Sequence, residues 1–212
     1  MEYFSRAQIY ERVRQDILEG RYSRGDSLIE QKLAEEFGVS RTPIREVLRQ
    51  LELDGLVGSI PNRGVFVIGI THQDIEDIYE IRKRIEGLAA LWAADKMTQE
   101  EFDELENIYH LMEFYTKKDD IHQFAKLNTQ FHEIIFKAAN SKYLKNMLIN
   151  FQAYLQWTRH ASLEVPGRLD AALMEHKAIV EAFRQKDGTM AEKLIMEHVS
   201  NSSKNLKIIQ PK

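Results

Sequence analysis

The chain has 212 residues, 43% of them hydrophobic and 29% charged, with a net charge of −4 and no cysteine. That length supports one large or two modest domains with real cores, and the absence of cysteine excludes disulfides while permitting a cytoplasmic setting. No apolar run approaches transmembrane length, and Met1-Glu2-Tyr3-Phe4-Ser5-Arg6 does not read as a secretory signal.

In chain order, the first strong helical signal is Leu28 to Phe37, with Leu33, Ala34 and Phe37 at helical spacing and Gly38 as the stop. Ser40 or Thr42 supplies the next N-cap, and Pro43 suits a first turn because its missing N–H is no loss there. In the helix that follows, Arg41, Arg45 and Arg49 recur at i, i+4, i+8, while Ile44, Val47, Leu48 and Leu51 form a separate apolar stripe. One side packs and the other stays available: two helices joined by a Gly-containing turn, a helix-turn-helix. Behind it, two β-prone runs flank the tip Ile60-Pro61-Asn62-Arg63-Gly64, which reads as a wing. Arg63 at such a tip meets phosphate or a minor groove, and Gly64 supplies the positive φ a tight tip requires.

Charge refines this reading. Residues 1–70 carry 10 Lys and Arg against 11 Asp and Glu, which argues against a generic polyanion binder. Within 39–50, however, three arginines face the single Glu46. Specific, dimer-assisted DNA binding with a modest salt slope fits that local pattern.

A boundary falls near Ile68-Gly69-Ile70, giving a DNA-binding domain over 1–70 and a second domain over 71–212. No strand pattern returns after it. Thr71 with Asp74, and Thr98 with Glu101, open helices as capping boxes, and the turn residues 117–120, 140–141, 165–167 and 187–189 cut the remainder. The resulting helices are 72–95, 99–116, 120–139, 142–160, 168–187 and 189–207. Short joints and one-sided apolar stripes predict an antiparallel bundle, so the fold class is mainly α: a winged helix-turn-helix followed by an all-α bundle.

The bundle's polar interior positions carry its chemistry. Asn128 and His132 share the stripe of Phe124, Phe131 and Ile135; His176 lies amid Leu169, Leu173, Ile179, Val180 and Phe183; His198 lies beside Leu194 and Ile195. Three inward histidines are costly to bury unless satisfied. Hydrogen-bonded core histidines are one solution and a shared metal is the other, which the number of rings favours. On helix 72–95, Arg82 and Glu86 interrupt the stripe of Ile75, Ile78, Ile85, Ala89 and Ala93. They form either a buried i, i+4 ion pair or a site where Arg82, held by Glu86, forks onto the carboxylate of a small organic acid. His72, His110, His122 and His160 fall off the inward stripes and read as solvated. Phe151, Tyr154 and Trp157 read as bundle core or dimer surface.

The run Leu33-Ala34-Glu35-Glu36-Phe37-Gly38-Val39-Ser40-Arg41-Thr42-Pro43-Ile44-Arg45-Glu46-Val47-Leu48, with Leu51-Glu52 and Asp54-Gly55-Leu56 behind it, resembles the winged helix-turn-helix of the GntR family of bacterial transcription regulators. The resemblance implies that Gln31, Ser40, Arg41, Thr42 and Arg45 face DNA together with Arg63-Gly64 of the wing. Arg41 and Arg45 are assigned to base or phosphate, and Gln31 stands where relatives commonly have Arg. A second stretch, Asn128-x-x-Phe131-His132-x-x-Ile135, then Glu175-His176-x-x-Ile179-x-x-Ala182-Phe183 and Ala191-x6-His198, is similar to the FCD effector domain of the FadR-type subfamily, in its shorter VanR-type form. That resemblance implies a divalent metal held by Asn128, His132, His176 and His198, with zinc, nickel and manganese all open. Asn128 stands where the family has Asp, an uncharged and weaker ligand.

The expectation is therefore a ligand-responsive regulator, a repressor or an activator. It would bind double-stranded operator DNA as a homodimer, in the cytoplasm and away from membranes, under control of a small carboxylate at a metal-containing pocket. A metal-only sensor shares every residue named. A metal-dependent hydrolase using Glu133 or Glu175 is the rival class, so that no enzymatic activity is the leading expectation.

Overall fold

The computed structural model describes residues 4–61, 63–148, 151 and 162–206. Its chain falls into two compact units, residues 4–74 and 75–206.

The first unit begins with a helix absent from the expectations above, α1 (Arg6–Leu18), capped by a reciprocal Ser5–Gln8 box. Its Ile9, Val13 and Ile17 are buried at i, i+4, i+8, so the periodicity was present in the sequence. The predicted helix from Leu28 is shorter than expected. Ser27–Leu28 forms a strand, β1, and α2 starts at Glu30, running Glu30–Phe37. Tertiary pairing prevails over local propensity here, because Leu28 lies opposite Val65 in the sheet and is buried. Gly38 ends α2 at φ 64°, and α3 (Arg41–Leu53) follows from the N-cap Ser40. Ile44, Val47, Leu48 and Leu51 of α3 are all buried, closing a core with Leu33, Phe37, Ile9 and Val13. The wing is β2 (Val57–Ile60) and β3 (Gly64–Val67), antiparallel with Ile60 opposite Gly64, and the sheet order is β1-β3-β2. Gly64 takes φ +86°, as its place beside the tip requires.

Helix α4 (His72–Lys96) starts at the Thr71–Asp74 capping box. Then come α5 (Gln99–Thr116) from the Thr98–Glu101 box and α6 (Ile121–Ala138), close to the predicted bounds. Residues 142–148 are helical; the rest of the predicted 142–160 helix, apart from Phe151, lies outside the described residues, as do Tyr154, Trp157 and His160. Helices α7 (Arg168–Arg184) and α8 (Gly188–Leu206) complete the bundle. Asp119 and Asn140 take positive φ at two of the predicted joints, and Lys186 does so one residue before the predicted joint 187–189, inside the predicted helix 168–187. The core is built on Phe124, Phe131, Ile135, Leu105, Met112 and Ile179, all fully buried. Alanines 89, 90, 93 and 94 of α4 face it. Gly87 lets α4 and α8 approach closely, since a Cβ there would stand 2.8 Å from Met196 Cγ. Phe151 packs half-buried against this core, consistent with the core reading.

Candidate functional site

On the first unit, Gln31, Ser40, Arg41, Thr42, Arg45, Arg63 and Gly64 are all exposed, while the apolar stripe of α3 is buried. Ser40 occupies the N-cap position without using its hydroxyl as a cap. Glu46, the acid among the α3 arginines, is tied to Arg6 at 2.8 Å, so its charge is compensated from α1. Arg41 and Arg49 make no ion pair among the described residues, whereas Arg45 donates from Nε to Glu30 Oε2 at 2.8 Å. Gln31 is not directed outward alone: its amide donates to Glu35 at 3.0 Å. Glu30 had not been singled out in the sequence, because an acid at a helix start reads as a dipole partner.

In the second unit, α6, α7 and α8 bring His132, His176 and His198 together, with ligand nitrogens all within 4.8 Å of one another and each ring buried. The helices hold each ring from outside. His176 Nδ1 lies 2.7 Å from the Ala172 carbonyl, an acceptor that requires Nδ1–H, and Phe131 and Phe124 pack against the ring in T-shaped geometry. His198 Nδ1 donates to Glu175 Oε2 at 2.7 Å. His132 Nδ1 stands at ion-pair distance, 3.0 Å, from Glu86 Oε2. With Nδ1–H directed at an oxygen acceptor, His176 and His198 as neutral rings carry their lone pairs on Nε2, facing inward, and His132 also turns its Nε2 to the same space.

Those lone pairs conflict with one another. His132 Nε2 and His198 Nε2 are 3.3 Å apart, and His176 Nε2 is 2.8 Å from Asn128 Oδ1. The second contact is relieved either by the Asn128 amide turning to donate from Nδ2 or by a cation that the oxygen and Nε2 hold together. The first needs a proton or a cation between the nitrogens. Burial first, then the positive potential of the neighbouring histidines, pushes His176 well below the ordinary histidine range. Burial also lowers His198, outweighing the pull of Glu175. Three convergent imidazoles beside an amide side chain, with the outer nitrogens of His176 and His198 hydrogen-bonded and that of His132 facing a carboxylate, make a donor set that could hold a transition metal.

Arg82 and Glu86 take the ion-pair alternative. Arg82 Nε donates to Glu86 Oε1 at 2.6 Å, both side chains are buried, and the guanidinium sits 4.8 Å from the Tyr79 ring centre. The pair thereby anchors His132. The cation that lines the chamber is instead Arg168, which the sequence reading passed over. It forks onto Glu175 at 2.9 and 2.8 Å and reaches Ser202 Oγ at 3.1 Å, while its buried Nε has no hydrogen-bond partner among the described residues. A cation just after the turn Val165-Pro166-Gly167 looks like a surface residue, although its i, i+7 spacing to Glu175 placed both on one helix face. The cavity bounded by Asn128, Ser162, Arg168, His176, His198 and Ser202 is ≈ 10 Å³, the size of one ion or one water.

Glu175 is the hub. Burial raises its pKa, but hydrogen bonds from His198 and Arg168 and their charges outweigh this and hold it down to about 2. A carboxylate depressed in the fold stabilises it above the ordinary value of 4.5, and that contribution is lost as pH falls toward about 2. Chemical denaturation of the metal-free protein across that window should show stability falling with acid, and Glu175→Gln should flatten the slope. An unchanged slope would remove Glu175 from the network. Glu175 is thus fully engaged, and Glu133 is exposed on α6; neither is placed as a water-activating base. His72, His110 and His122 are exposed, as expected.

A winged helix with an arginine-striped second helix, and a separate helical bundle enclosing a histidine chamber, define a one-component DNA-binding regulator. The chain belongs to the GntR family of bacterial regulatory proteins: the model described as "Bacterial regulatory proteins, gntR family" matches residues 5–67, and the FCD domain model matches 77–201. The Bacillus subtilis HTH-type transcriptional regulator YdhC is 30% identical over 202 residues, covering 94% of this chain and 90% of that protein. The galactonate operon transcriptional repressor of Escherichia coli is 27% identical over 214 residues, covering 91% and 93%. The solved structure of E. coli McbR/YncC shares the fold, with a TM-score of 0.72 and 22% identity over 96% of this chain and 95% of that one. The matched domains and relatives are those of a transcriptional regulator, not an enzyme. No described helix is long and apolar enough to cross a membrane.

Proposed function

We propose that the protein is a cytoplasmic, ligand-responsive transcriptional repressor that binds operator DNA as a homodimer through α3 and the wing. Residues 1–70 read DNA and residues 71–212 sense and dimerise. A dimer follows from the small number of base pairs one recognition helix reads, and a two-fold protein matches a palindromic operator. Repression is the sense given by the name of the galactonate-operon relative, which also suggests a sugar acid as the class of effector.

The observation that carries the sensing half is the convergence of the three imidazoles. His132, His176 and His198 would hold a divalent transition metal, zinc, nickel or manganese, with the Asn128 oxygen as a fourth, uncharged ligand. Such a metal supplies positive charge that attracts a carboxylate. Arg168 lines the chamber and suits a second contact to that carboxylate, whereas Arg82 and Glu86, the pair first expected to bind it, fix His132 from behind. Effector binding changes operator affinity only through different affinities for the two arrangements of the DNA heads.

The ≈ 10 Å³ cavity favours a second reading, a sensor of the metal alone, because a sugar acid enters only if the chamber opens. Calorimetry on zinc-loaded protein separates the two. On the effector reading, gluconate or galactonate gives a saturable heat and shifts operator affinity. On the metal-only reading the acids give no heat, yet a chelator alters operator binding. If neither metal nor acid changes operator affinity, the chamber is structural and the sensing assignment fails.

A further inference from the structure

We infer that Glu30 is a specificity-determining positioning residue that orients Arg45 for base reading. Glu30 is the first residue of α2, 15 positions before Arg45, and its carboxylate reaches across the turn between the two helices to take Arg45 Nε at 2.8 Å. The helices themselves are fixed by buried Leu33, Ala34 and Phe37 on one side and Ile44, Val47 and Leu48 on the other, so the anchor point cannot drift.

The atom used is the informative detail. With Nε occupied, the two terminal nitrogens of Arg45 make no hydrogen bond among the described residues, and they form the end-on fork that matches guanine O6 and N7. Arg41 and Arg49 lack such an anchor among the described residues. They are free to follow phosphate oxygens, a contact that tolerates many geometries. Anchoring Arg45 reduces the rotamer freedom lost on binding. Glu30 also brings a negative charge near the DNA-facing surface, which penalises loose, sequence-independent contact with the phosphate backbone. A locally basic helix on a domain without a basic excess is the sequence-level counterpart of this arrangement.

The inference rests on Arg45 facing DNA, so the test contains an arm for each. The probe is a duplex selected by the full-length wild-type protein from a random library, with a scrambled duplex of equal length. Glu30→Ala should weaken binding to the selected duplex about tenfold per dimer while scrambled-duplex binding holds or tightens. The thermal melt should not move. Replacing the contacted guanine by 7-deazaguanine should weaken wild type but barely affect Glu30→Ala, and Glu30→Gln, which keeps an acceptor, should fall between. In an Arg45→Ala background, Glu30→Ala should cause no further loss of specific binding. If Glu30→Ala binds the selected duplex as well as wild type with the 7-deazaguanine penalty intact, Glu30 merely occupies Arg45 and the inference is overturned. If Arg45→Ala itself keeps full affinity, the assignment of Arg45 fails first, and Glu30 has nothing to position.

Discussion

His176→Ala should reduce bound zinc from about one equivalent per chain to near zero, measured by elemental analysis of protein dialysed against the metal. The effect is large because His176 is the most enclosed of the three rings, fully buried, with Nδ1 tied to a carbonyl in its own helix and Nε2 directed at Asn128. Its removal leaves two imidazoles and an uncharged amide, too few donors to compete with water for a divalent ion. The same change deletes a core ring packed on Phe131, so circular dichroism must accompany the metal count. Glu86→Gln supplies the milder companion. It keeps the shape of the side chain behind His132 but withdraws the carboxylate, and losing such an outer partner costs about 10–100-fold in metal affinity. Asn128→Asp runs the other way, since an anionic oxygen tightens the site. Metal affinity in wild type should also fall with acid, because proton and metal compete for the same Nε2 lone pairs. If His176→Ala folds and still carries a full equivalent, the three rings are core hydrogen-bonding residues and the sensing proposal loses its basis.

Much of this architecture was legible because local rules and tertiary packing agree. The capping boxes at Thr71–Asp74 and Thr98–Glu101, and the helix stops near Asp119 and Asn140, are short-range chemistry that the fold leaves unaltered. The three histidines were legible for a different reason: a polar residue in the middle of an apolar stripe announces a buried partner. Their partners were not legible in the same way. Glu86 and Arg82 could be named from i, i+4 spacing, but only the placement of α4 against α6 turns Glu86 toward His132. Arg168 is the sharper case. Beside a Pro-Gly turn a long cation normally snorkels to water, yet here it is buried against Glu175 and Ser202, contributions from α7 and α8 that no single window contains. Leu28 failed for the same reason in reverse: its strand exists only through pairing with β3.

Arg45→Ala should weaken operator binding by about 100-fold or more in a gel shift or fluorescence anisotropy titration. A bidentate guanine contact is worth about 1–3 kcal/mol, and in a dimer one substitution removes it from both half-sites. The side chain is exposed on α3, roughly a quarter to a third of a turn from the buried stripe of Ile44, Val47, Leu48 and Leu51, so the loss arises without damage to the core. Removing Arg45 also leaves Glu30 without its partner on that surface, an uncompensated negative charge that adds repulsion toward phosphate. Salt dependence then separates base from phosphate. If Arg45 reads a base, the slope of affinity against salt stays near wild type while sequence discrimination drops; if it pairs a phosphate, the slope falls by about one unit per contact and discrimination survives. Arg41→Ala measured alongside shows how the two arginines divide these roles. Unchanged operator affinity in Arg45→Ala would mean that α3 is not the reading helix, and the DNA-facing assignments of Ser40, Arg41 and Thr42 would fall with it.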